Sequence, residues 1–481
     1  MQQEMKHKAK QKMNWEEERE MKQKITTPIA DFVKAYAESS MSRLHMPGHK
    51  GKMFLGCDPF DITEVHGGDS LYEADGIIAE SEKNVTELFG TARTLFSTEG
   101  SSQCIRAMLY LAMLQKKEGK RPVVVAARNV HKAFIYAATL LDFDVIWLWP
   151  EGNAESLCSC YVSLETVEQV LKEHADSVVA VYITCPDYLG GQADIRSIAE
   201  VCHRNGTILA VDNAHGAYLH FLEPSQHPMD LGVDICCDSA HKTLPVLTGG
   251  AYLHISKNAP KIFAEQAKYA MGLFGSTSPS YLIMASLDLC NQYLSDGYRG
   301  RLQHIIDLKD TCAKQLEMAG WKVRKSDPLK LTIEIPRGVP SCKLTEKLRK
   351  YDVECEYADP DFLVFMLTPE NTEDDLQQIV LALGENQDSY QVKEQLPVAR
   401  TTQMITIREA MFAAPEAVSV KQALGRICRV PTVSCPPAIP IAVPGEVIDE
   451  SIIKLFEYYE IEKIDVVQKN LDIGIIPDII L

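Results

Sequence analysis

A group of polar residues that could bind a phosphate follows the apolar run Leu95–Ser97, which is typical of a strand. The group is Thr98-Glu99-Gly100-Ser101-Ser102-Gln103, and a helix from about Gln103 to Gln115 is predicted after it. Gly100 allows a tight turn, and the free N–H groups of the helix start, together with the hydroxyls of Ser101 and Ser102, suit an anion. An ordinary helix cap that uses Ser102 would explain the same residues.

Two further groups follow the next apolar runs. His131 stands behind Pro122–Ala127, where its ring could stack on a flat cofactor or exchange protons, or could simply be a satisfied structural histidine. Asp212 closes the run that begins at Ile208, and His215 is near enough in sequence to reach the same place. An aspartate here could pair with a pyridinium nitrogen, or it could cap the turn that follows.

The fourth group is Ser239-Ala240-His241-Lys242, behind the run Val233–Cys237. A lysine at the end of a buried strand is unusual, because an unpaired ammonium is costly to bury. Schiff-base formation removes that cost and supplies covalent catalysis. Ser239 and His241 could reach a phosphate from the side opposite Ser101 and Ser102. Taken alone, however, Lys242 could equally be a surface lysine in a loop.

The order of the four groups is more informative than any one of them. A phosphate loop, a histidine, an aspartate and a lysine occur in this order along the chain, and each directly follows a predicted strand. In an open α/β sheet the carboxyl ends of parallel strands form the ligand site. This order is the one required by a fold-type I enzyme that uses pyridoxal 5'-phosphate, and we therefore predict this cofactor as a Schiff base on Lys242.

Alternating strand and helix patterns support that fold class. Short apolar runs without polar alternation, such as Val178–Thr184, indicate strands buried on both faces, and a helix is predicted from the N-cap Asp194 to Asn205-Gly206. We predict a mostly parallel α/β sheet. The expected divisions are an N-terminal extension or arm (1–40), a large cofactor-binding domain (41–296), a small α/β domain (297–395) and a loop-rich C-terminal domain (396–481).

Composition and net charge argue against several classes of binding partner. The chain of 481 residues has a formal net charge of −17, which argues against nucleic acid or an anionic membrane as partner, because both need a basic face. No apolar stretch approaches a membrane span and no signal-peptide pattern is present. The cysteines lack paired CxxC spacing and indicate reduced core thiols, so we expect a cytoplasmic location.

With these motifs in place, the sequence resembles the bacterial ornithine/lysine/arginine decarboxylase family, in its short form without an N-terminal wing domain. The resemblance covers nearly all of residues 27–450. The matching motifs are His45-Met46-Pro47-Gly48-His49-Lys50-Gly51, Arg128-Asn129-Val130-His131-Lys132, Asp212-Asn213-Ala214-His215-Gly216-Ala217, Asp238-Ser239-Ala240-His241-Lys242-Thr243-Leu244-Pro245, Ser276-Thr277-Ser278-Pro279-Ser280-Tyr281, Cys435-Pro436-Pro437-Ala438-Ile439-Pro440 and Pro444-Gly445-Glu446.

The resemblance implies a role for each matching residue. Lys242 would carry the cofactor, Asp212 would pair with its pyridine nitrogen, and His131 would stack on its ring. Thr277 would reach the active site of a neighbouring subunit in a homodimer or larger assembly, and Glu446 would lie near the substrate entrance. The remaining cofactor-binding residues would be Ser101, Ser102, Ala214, His215, Ser239 and His241.

The implied reaction is decarboxylation of a basic L-amino acid to its amine and carbon dioxide, feeding polyamine synthesis. Arginine is expected first, because short family members often act on it, then lysine or ornithine. Lys242 or His241 would return the proton to the α-carbon. A Pro-Gly turn between His45 and His49 disfavours a shared metal, and no metal site is expected.

The sequence also departs from the family pattern. Family members usually have Thr where Ala240 stands, Glu at Asn213, His at Tyr218 and Gln at Gly249. An acidic residue is missing from Ile427-Cys428-Arg429-Val430, and Cys435 and Ala438 replace a Tyr and a Gly of the proline-rich motif. These changes cluster where the substrate side chain should be bound. A lyase or aminotransferase for a different amino acid, or a catalytically silent regulatory homologue, therefore remain alternatives.

Overall fold

A computed structural model describes residues 25–150, 156–386, 388, 390, 400–434 and 438–468. Residues 1–24, the first part of the expected N-terminal arm, lie outside the described residues. The substituted motif position Cys435 lies outside them as well.

The large sheet has seven strands. They are β1 (Arg93–Ser97), β2 (Val123–Ala127), β3 (Asp144–Leu148), β4 (Val178–Thr184), β5 (Ile208–Asp212), β6 (Ile235–Asp238) and β7 (Ala251–Ile255). Their order in the sheet is β1-β7-β6-β5-β4-β2-β3. Only β7 runs antiparallel to its two neighbours, so β1, β2, β4, β5 and β6 all end at the same edge. The predicted mostly parallel α/β sheet is confirmed.

Burial explains why these segments form strands. The predicted runs at 178–184 and 208–212 coincide with β4 and β5, and every residue of β5 is buried. A strand that is covered on both faces needs continuous apolar residues instead of an alternating pattern. Its N–H and C=O groups are satisfied by the ladder, so only the residue at the carboxyl end is free to serve a site.

Helices cover the sheet. They are α1 (Pro28–Glu38), α2 (Ile77–Leu88), α3 (Ser101–Met113), α4 (Lys132–Leu141), α5 (Leu164–Glu173), α6 (Ile195–Arg204), α7 (Ala240–Thr243), α8 (Lys261–Leu273) and α9 (Tyr281–Ser295). The predicted helix after Asp194 is confirmed as α6, and the Asp194 carboxylate accepts a hydrogen bond from the Ser197 amide. Helix α3 begins two residues earlier than predicted, at Ser101.

A smaller α/β unit follows the long helix α10 (Tyr298–Met318). Its elements are β8 (Lys322–Arg324), β9 (Lys330–Glu334), α11 (Ser341–Arg349), β10 (Tyr357–Ala358), β11 (Phe362–Met366) and α12 (Glu373–Leu383). The four strands pair antiparallel in the order β10-β11-β9-β8. The strands expected at about 329–335 and 362–367 are therefore present.

The last part of the chain is more regular than its prolines suggested. It contains α13 (Ile407–Phe412), β12 (Pro415–Ser419), β13 (Thr432–Ser434), β14 (Ile439–Ala442), α14 (Glu450–Tyr458) and β15 (Lys463–Val467). Strand β12 pairs with β15 and β13 with β14. These elements are joined by loops, and the hydrophobic side of α14 packs on a core that includes Val466 and Cys428. None of the helices in the described ranges is long and apolar enough to cross a membrane.

Candidate active site

The four predicted groups meet at one edge of the large sheet. Ser101, His131 and Lys242 follow the ends of β1, β2 and β6 respectively, and Asp212 is the last residue of β5. Because these strands run in the same direction, their carboxyl ends lie side by side, and residues far apart in sequence converge.

Lys242 lies in the one-turn helix α7, directly behind β6. Its Nζ is 2.9 Å from Nε2 of His215, close enough for a hydrogen bond. Burial lowers the pKa of Lys242, although the negative charge of Asp212 opposes this. The pKa of His215 is also held well below its usual value, by burial and then by the charge of Lys242. His215 is therefore a neutral acceptor, and Lys242 is an amine that loses its proton more easily than an ordinary lysine.

Asp212 is almost fully buried at the end of β5, with 2% of its surface exposed. The Tyr182 hydroxyl donates a hydrogen bond to Oδ2 at 3.2 Å, and the Ala214 amide donates to Oδ1 at 3.2 Å. Burial raises the pKa of Asp212, whereas the nearby Lys242 charge opposes this rise. A buried carboxylate with these partners is suited to a second cationic group, such as a protonated ring nitrogen.

Two serines from different loops contact each other at the start of α3. The Ser239 hydroxyl donates a hydrogen bond to Oγ of Ser101 at 2.8 Å. Between them, Gly100 has a φ of 69°, a left-handed conformation that glycine adopts without strain, and a Cβ there would come 3.9 Å from the His241 ring. Ser102 follows in the first turn of α3. The two hydroxyls and the helix N-terminus form a cradle suited to an anion.

Two of the three histidines of the predicted set, His131 and His241, form hydrogen bonds with the backbone. Nδ1 of His131 accepts a hydrogen bond from the Ala133 amide at 3.1 Å, so the ring caps α4. Burial, and secondly the charge of Lys242, lowers the pKa of His131 to about 4, which keeps the ring neutral. Nδ1 of His241 lies 3.0 Å from the Gly250 carbonyl oxygen, to which it donates. A neutral, fixed ring such as that of His131 can stack on a flat cofactor.

Glu446, which was expected near the substrate entrance, is buried. Its side chain is 1% exposed and forms an ion pair with Arg128, with 3.2 Å between Oε2 and Nη2. The Arg128 guanidinium also donates to the carbonyl oxygens of Pro440 and Ile441 and lies over the rings of Trp147 and Trp149. Glu446 thus links the C-terminal part of the chain to the loop that carries His131, and its role near the substrate entrance stays a prediction.

Other predicted residues are placed as follows. Thr277 is exposed, and the neighbouring Ser276 amide donates a hydrogen bond to Glu99, so this loop lies beside the Gly100 turn of its own chain. His45 and His49 have separate partners, Tyr36 and Asp61. The spacing of the two histidines therefore reflects two independent hydrogen bonds.

A buried cluster of three metal-ligating side chains, not anticipated from the sequence, lies behind the site. His227 and His254 each place Nε2 3.0 Å from Oδ2 of Asp238. The Met229 amide donates to Nδ1 of His227, so Nε2 of that ring carries the proton. Although burial raises the pKa of Asp238, the charges and hydrogen bonds of the two histidines hold it well below its usual value. The cluster is thus satisfied by its own hydrogen bonds.

Asp238 connects this cluster to the site. Its Oδ1 accepts a hydrogen bond at 2.7 Å from Nδ2 of Asn213, the residue next to Asp212. Asp238 therefore orients the turn after β5 as well as the turn after β6.

Sequence reasoning missed the segment after β4. Tyr188 packs edge-on against His215, with 5.0 Å between ring centroids, and its hydroxyl donates to Glu356 at 2.6 Å. Lys330 of β9 is 2% exposed, and its Nζ donates to the Asp187 carbonyl oxygen and to Asp327. The strand-end rule that found the other loops also applies to Asp187-Tyr188, whereas nothing in the sequence brings Lys330 or Glu356 here.

Comparisons with known proteins agree with this geometry. The family model described as Orn/Lys/Arg decarboxylase, major domain, matches residues 27–331, and the model of the C-terminal domain of the same family matches residues 386–464. An arginine decarboxylase of Bacillus subtilis is 29% identical over 93% of this chain and 94% of its own length.

Solved structures extend the comparison to the fold. The lysine decarboxylase of Francisella novicida superposes with a TM-score of 0.76 at 18% identity, over 92% of this chain and 81% of the other. Serine palmitoyltransferase of Sphingomonas wittichii gives a TM-score of 0.54 at 14% identity, over 75% and 83%. At these identities the likeness shows the fold alone, which is fold type I, as predicted.

Proposed function

Because the chain belongs to the Orn/Lys/Arg decarboxylase family and is thus a decarboxylase of basic amino acids, we propose that Lys242 holds pyridoxal phosphate and that arginine is the substrate. The observation that carries the proposal is the convergence of Lys242, Asp212, His131 and the Ser101–Ser239 pair at one sheet edge. These are an amine, a buried carboxylate, a neutral ring and an anion cradle. The arginine decarboxylase of Bacillus subtilis, similar over nearly its whole length, favours arginine.

The residues present fit this cofactor. Its aldehyde needs an amine that gives up its proton, and burial prepares Lys242 for this. Its phosphate suits the hydroxyls of Ser101 and Ser239 and the open turn at Gly100. Nδ1 of His215 is buried and has no hydrogen-bond partner within the described chain, so it is available to a polar atom of a bound group.

The chain's own residues would bind and orient the reactants. When bound, the cofactor supplies an electron sink for the bond to the departing carboxylate. Asp212 would keep the ring nitrogen protonated from its buried position, and Ala214 would lie against the ring beside it. A proton must return to the α-carbon, and Lys242 is the better donor, because Nδ1 of His241 already donates to the Gly250 carbonyl.

A decarboxylation assay tests the proposal. Purified protein supplied with cofactor is incubated with arginine, lysine, ornithine and neutral amino acids, and carbon dioxide, amine and keto acid are measured. We expect carbon dioxide and amine in equal amounts, highest with arginine. Keto acid formed without carbon dioxide would contradict the proposal, and a preference for lysine or ornithine would correct the substrate.

The Lys242→Ala variant tests the attachment site. It should lose the visible absorbance of the bound cofactor and at least about 10³-fold in kcat. Lys132→Ala, in the neighbouring loop, is the control and should keep the absorbance. A variant at Lys242 that retains the colour and the rate would overturn the assignment.

We also propose a homodimer in which Thr277 reaches the partner's active site. A cluster of exposed apolar side chains supports an interface, since monomers rarely expose contiguous apolar patches; its members are Met41, Leu44, Met46, Met53, Phe54 and Leu55. Sedimentation velocity checks the assembly, and a monomer at micromolar concentration would contradict it.

We also propose a cytoplasmic location, because all cysteines in the described ranges are free thiols.

A further inference from the structure

Tyr188 and Glu356 form a hydrogen-bonded pair between the two larger sheets. Tyr188 belongs to the loop after β4, whereas Glu356 directly precedes the edge strand β10 of the small unit. The Tyr188 hydroxyl donates to Oε1 of Glu356 at 2.6 Å. The Tyr188 ring packs edge-on against Tyr357, with 5.3 Å between centroids, and the Glu356 amide donates to the Val364 carbonyl. Both residues of the pair are thus fixed by further contacts with strands β10 and β11.

The pair lies next to the reactive amine. The Tyr188 ring is 5.0 Å from the ring of His215, and Nε2 of His215 is 2.9 Å from Nζ of Lys242. Tyr188 therefore connects Glu356 to the centre of the site through two direct contacts. The charge of Glu356 also reaches Lys242, since it raises the pKa of that amine against the effect of burial.

The other carboxylates around this side of the site are already bound. Asp327 accepts from the Lys330 ammonium at 2.8 Å and from the Tyr218 hydroxyl at 2.6 Å. Asp359 accepts two backbone N–H groups on Oδ1 and the Tyr357 hydroxyl on Oδ2. The Asp187 carboxylate accepts two backbone N–H groups. All three are buried and already accept hydrogen bonds from other groups of the chain.

Glu356 differs from these carboxylates in exposure and in partner. Its residue is exposed, and the donor that contacts it is a neutral phenol. A carboxylate in this state can still accept a charge-assisted hydrogen bond, which is shorter and stronger than a neutral one. The phenol fixes its orientation, so less side-chain entropy is lost when a cation arrives.

We propose that Glu356 binds the distal cationic group of the substrate, and that Tyr188 is the residue that positions it. The inference rests on the proposed function and names the group that selects a basic side chain. A guanidinium can engage the carboxylate through two parallel N–H groups, whereas an ammonium engages it as a point charge. Glu446, in contrast, is buried and already paired with the Arg128 guanidinium.

The Glu356→Gln variant tests the proposal, because it keeps the shape and the hydrogen-bonding capacity but removes the charge. For arginine, kcat/KM should fall about 10- to 100-fold, mostly through KM. For citrulline, the neutral analogue of arginine, kcat/KM should stay within about 2-fold of wild type, because no charge pair is lost. Binding of the amine product of arginine, measured by calorimetry, should weaken by the same factor as kcat/KM for arginine.

Tyr188→Phe tests the positioning role. The ring and its contact with His215 stay, and only the hydroxyl is lost. KM for arginine should rise about 3- to 10-fold, because one orienting hydrogen bond is lost while the carboxylate keeps its charge, and kcat should stay almost unchanged. A fall in kcat with unchanged KM would instead indicate an effect on His215 and would overturn the positioning role.

The chain offers a matched control. The Tyr293 hydroxyl donates to Oε1 of Glu370 at 2.5 Å, a pair of the same type at the surface between α9 and α12. Glu370→Gln and Tyr293→Phe should leave both kinetic constants unchanged. Equal losses for arginine and citrulline in Glu356→Gln, or no loss at all, would overturn the inference while the proposed function stands. A wild-type enzyme that decarboxylates no basic amino acid would overturn both.

Discussion

Nζ of Lys242 lies 2.9 Å from Nε2 of His215, which places two nitrogen bases within one hydrogen bond of each other. Two buried bases cannot both be protonated without strong repulsion, and burial disfavours the charged form of each. The pKa of each group is accordingly lowered, and the largest effect that opposes this at Lys242 is the negative charge of Asp212. The pair thus supplies a nucleophilic amine next to a neutral acceptor.

This pair predicts the pH dependence of cofactor attachment. In cofactor-free enzyme the rate of colour formation should rise with pH and level off below pH 10.5, the ordinary pKa of lysine. Asp212→Asn removes the charge that favours the ammonium, so the inflection should move to lower pH. Stopped-flow absorbance measures this rate. Asp234→Asn, which changes a buried carboxylate at the other end of β6, is the control and should not move it.

The serine pair predicts a loss of cofactor affinity. If Ser239 and Ser101 hold the phosphate, Ser239→Ala should weaken cofactor binding about 10- to 100-fold, the value of one hydrogen bond to a charged group. Equilibrium dialysis of the cofactor gives the dissociation constant. Ser197→Ala removes an exposed hydroxyl that donates to Asp194 in α6, and should have no effect. Unchanged affinity in Ser239→Ala would place the phosphate elsewhere.

The buried ion pair between Arg128 and Glu446 predicts a structural effect. Glu446→Ala leaves the Arg128 charge buried without its partner and should lower the free energy of unfolding by about 3 kcal/mol. In contrast, Glu416→Ala breaks the more exposed pair with Arg426 and should cost at most about 1 kcal/mol. Urea denaturation measures both. A raised KM in Glu446→Ala with unchanged stability would restore the substrate role expected from the sequence.

Ala438 predicts a stabilising substitution. Its φ is 61°, a left-handed conformation that costs an alanine about 1–2 kcal/mol, and its carbonyl accepts a hydrogen bond from the Lys132 amide. Ala438→Gly should therefore raise the free energy of unfolding by up to about 1 kcal/mol, after the larger chain entropy of glycine is subtracted. Ala285→Gly within α9 should lower it by about 1 kcal/mol. Equal losses in both variants would contradict the prediction.

Asp288 predicts a pH-dependent stability. It accepts hydrogen bonds from the amides of Ile29 and Ala30 and from the Ser81 hydroxyl, yet burial raises its pKa to about 6 from 3.8. Between pH 3.8 and about 6, Asp288 is protonated in the folded protein but ionised in the unfolded chain. The free energy of unfolding therefore falls as pH rises from about 4 to 6. The full cost is about 3 kcal/mol at most.

The Asp288→Asn variant removes this titration. Relative to wild type, its free energy of unfolding should increase as pH rises from about 4 to 6 and then remain constant. Urea midpoints at several pH values measure the difference between the two proteins. Asp375→Asn is a suitable control, because that carboxylate is exposed in the first turn of α12 and its pKa is lowered instead. A difference between Asp288→Asn and wild type that does not change with pH would contradict the prediction.

Much of the cofactor site could be predicted because its residues are local to strand ends. Ser101, His131, Asp212 and Lys242 each follow a continuous apolar run, and the direction of parallel strands brings such ends together. Ala438 was recognised as a departure from the family motif, but the positive φ that makes it costly is visible only in the folded chain.

The contacts of Glu446 and Glu356 could not be predicted from sequence motifs. The sequence motif implied a family role for Glu446. Only the fold shows that Glu446 forms an ion pair with Arg128, which is more than 300 positions away in sequence. Glu356 belongs to no motif, and it meets Tyr188 because it precedes the edge strand β10 of a sheet that contacts the loop after β4.

The sequence by itself thus determined the fold class and the family, and it singled out Lys242 as the residue proposed to hold the cofactor. Each of these follows from apolar periodicity and from motifs of a few adjacent residues, which need no knowledge of distant contacts. The tertiary structure alone decided which carboxylates are buried with partners of their own and which one, Glu356, is exposed beside Tyr188. That distinction depends on burial and on partners from other elements, and both arise only when the chain is packed.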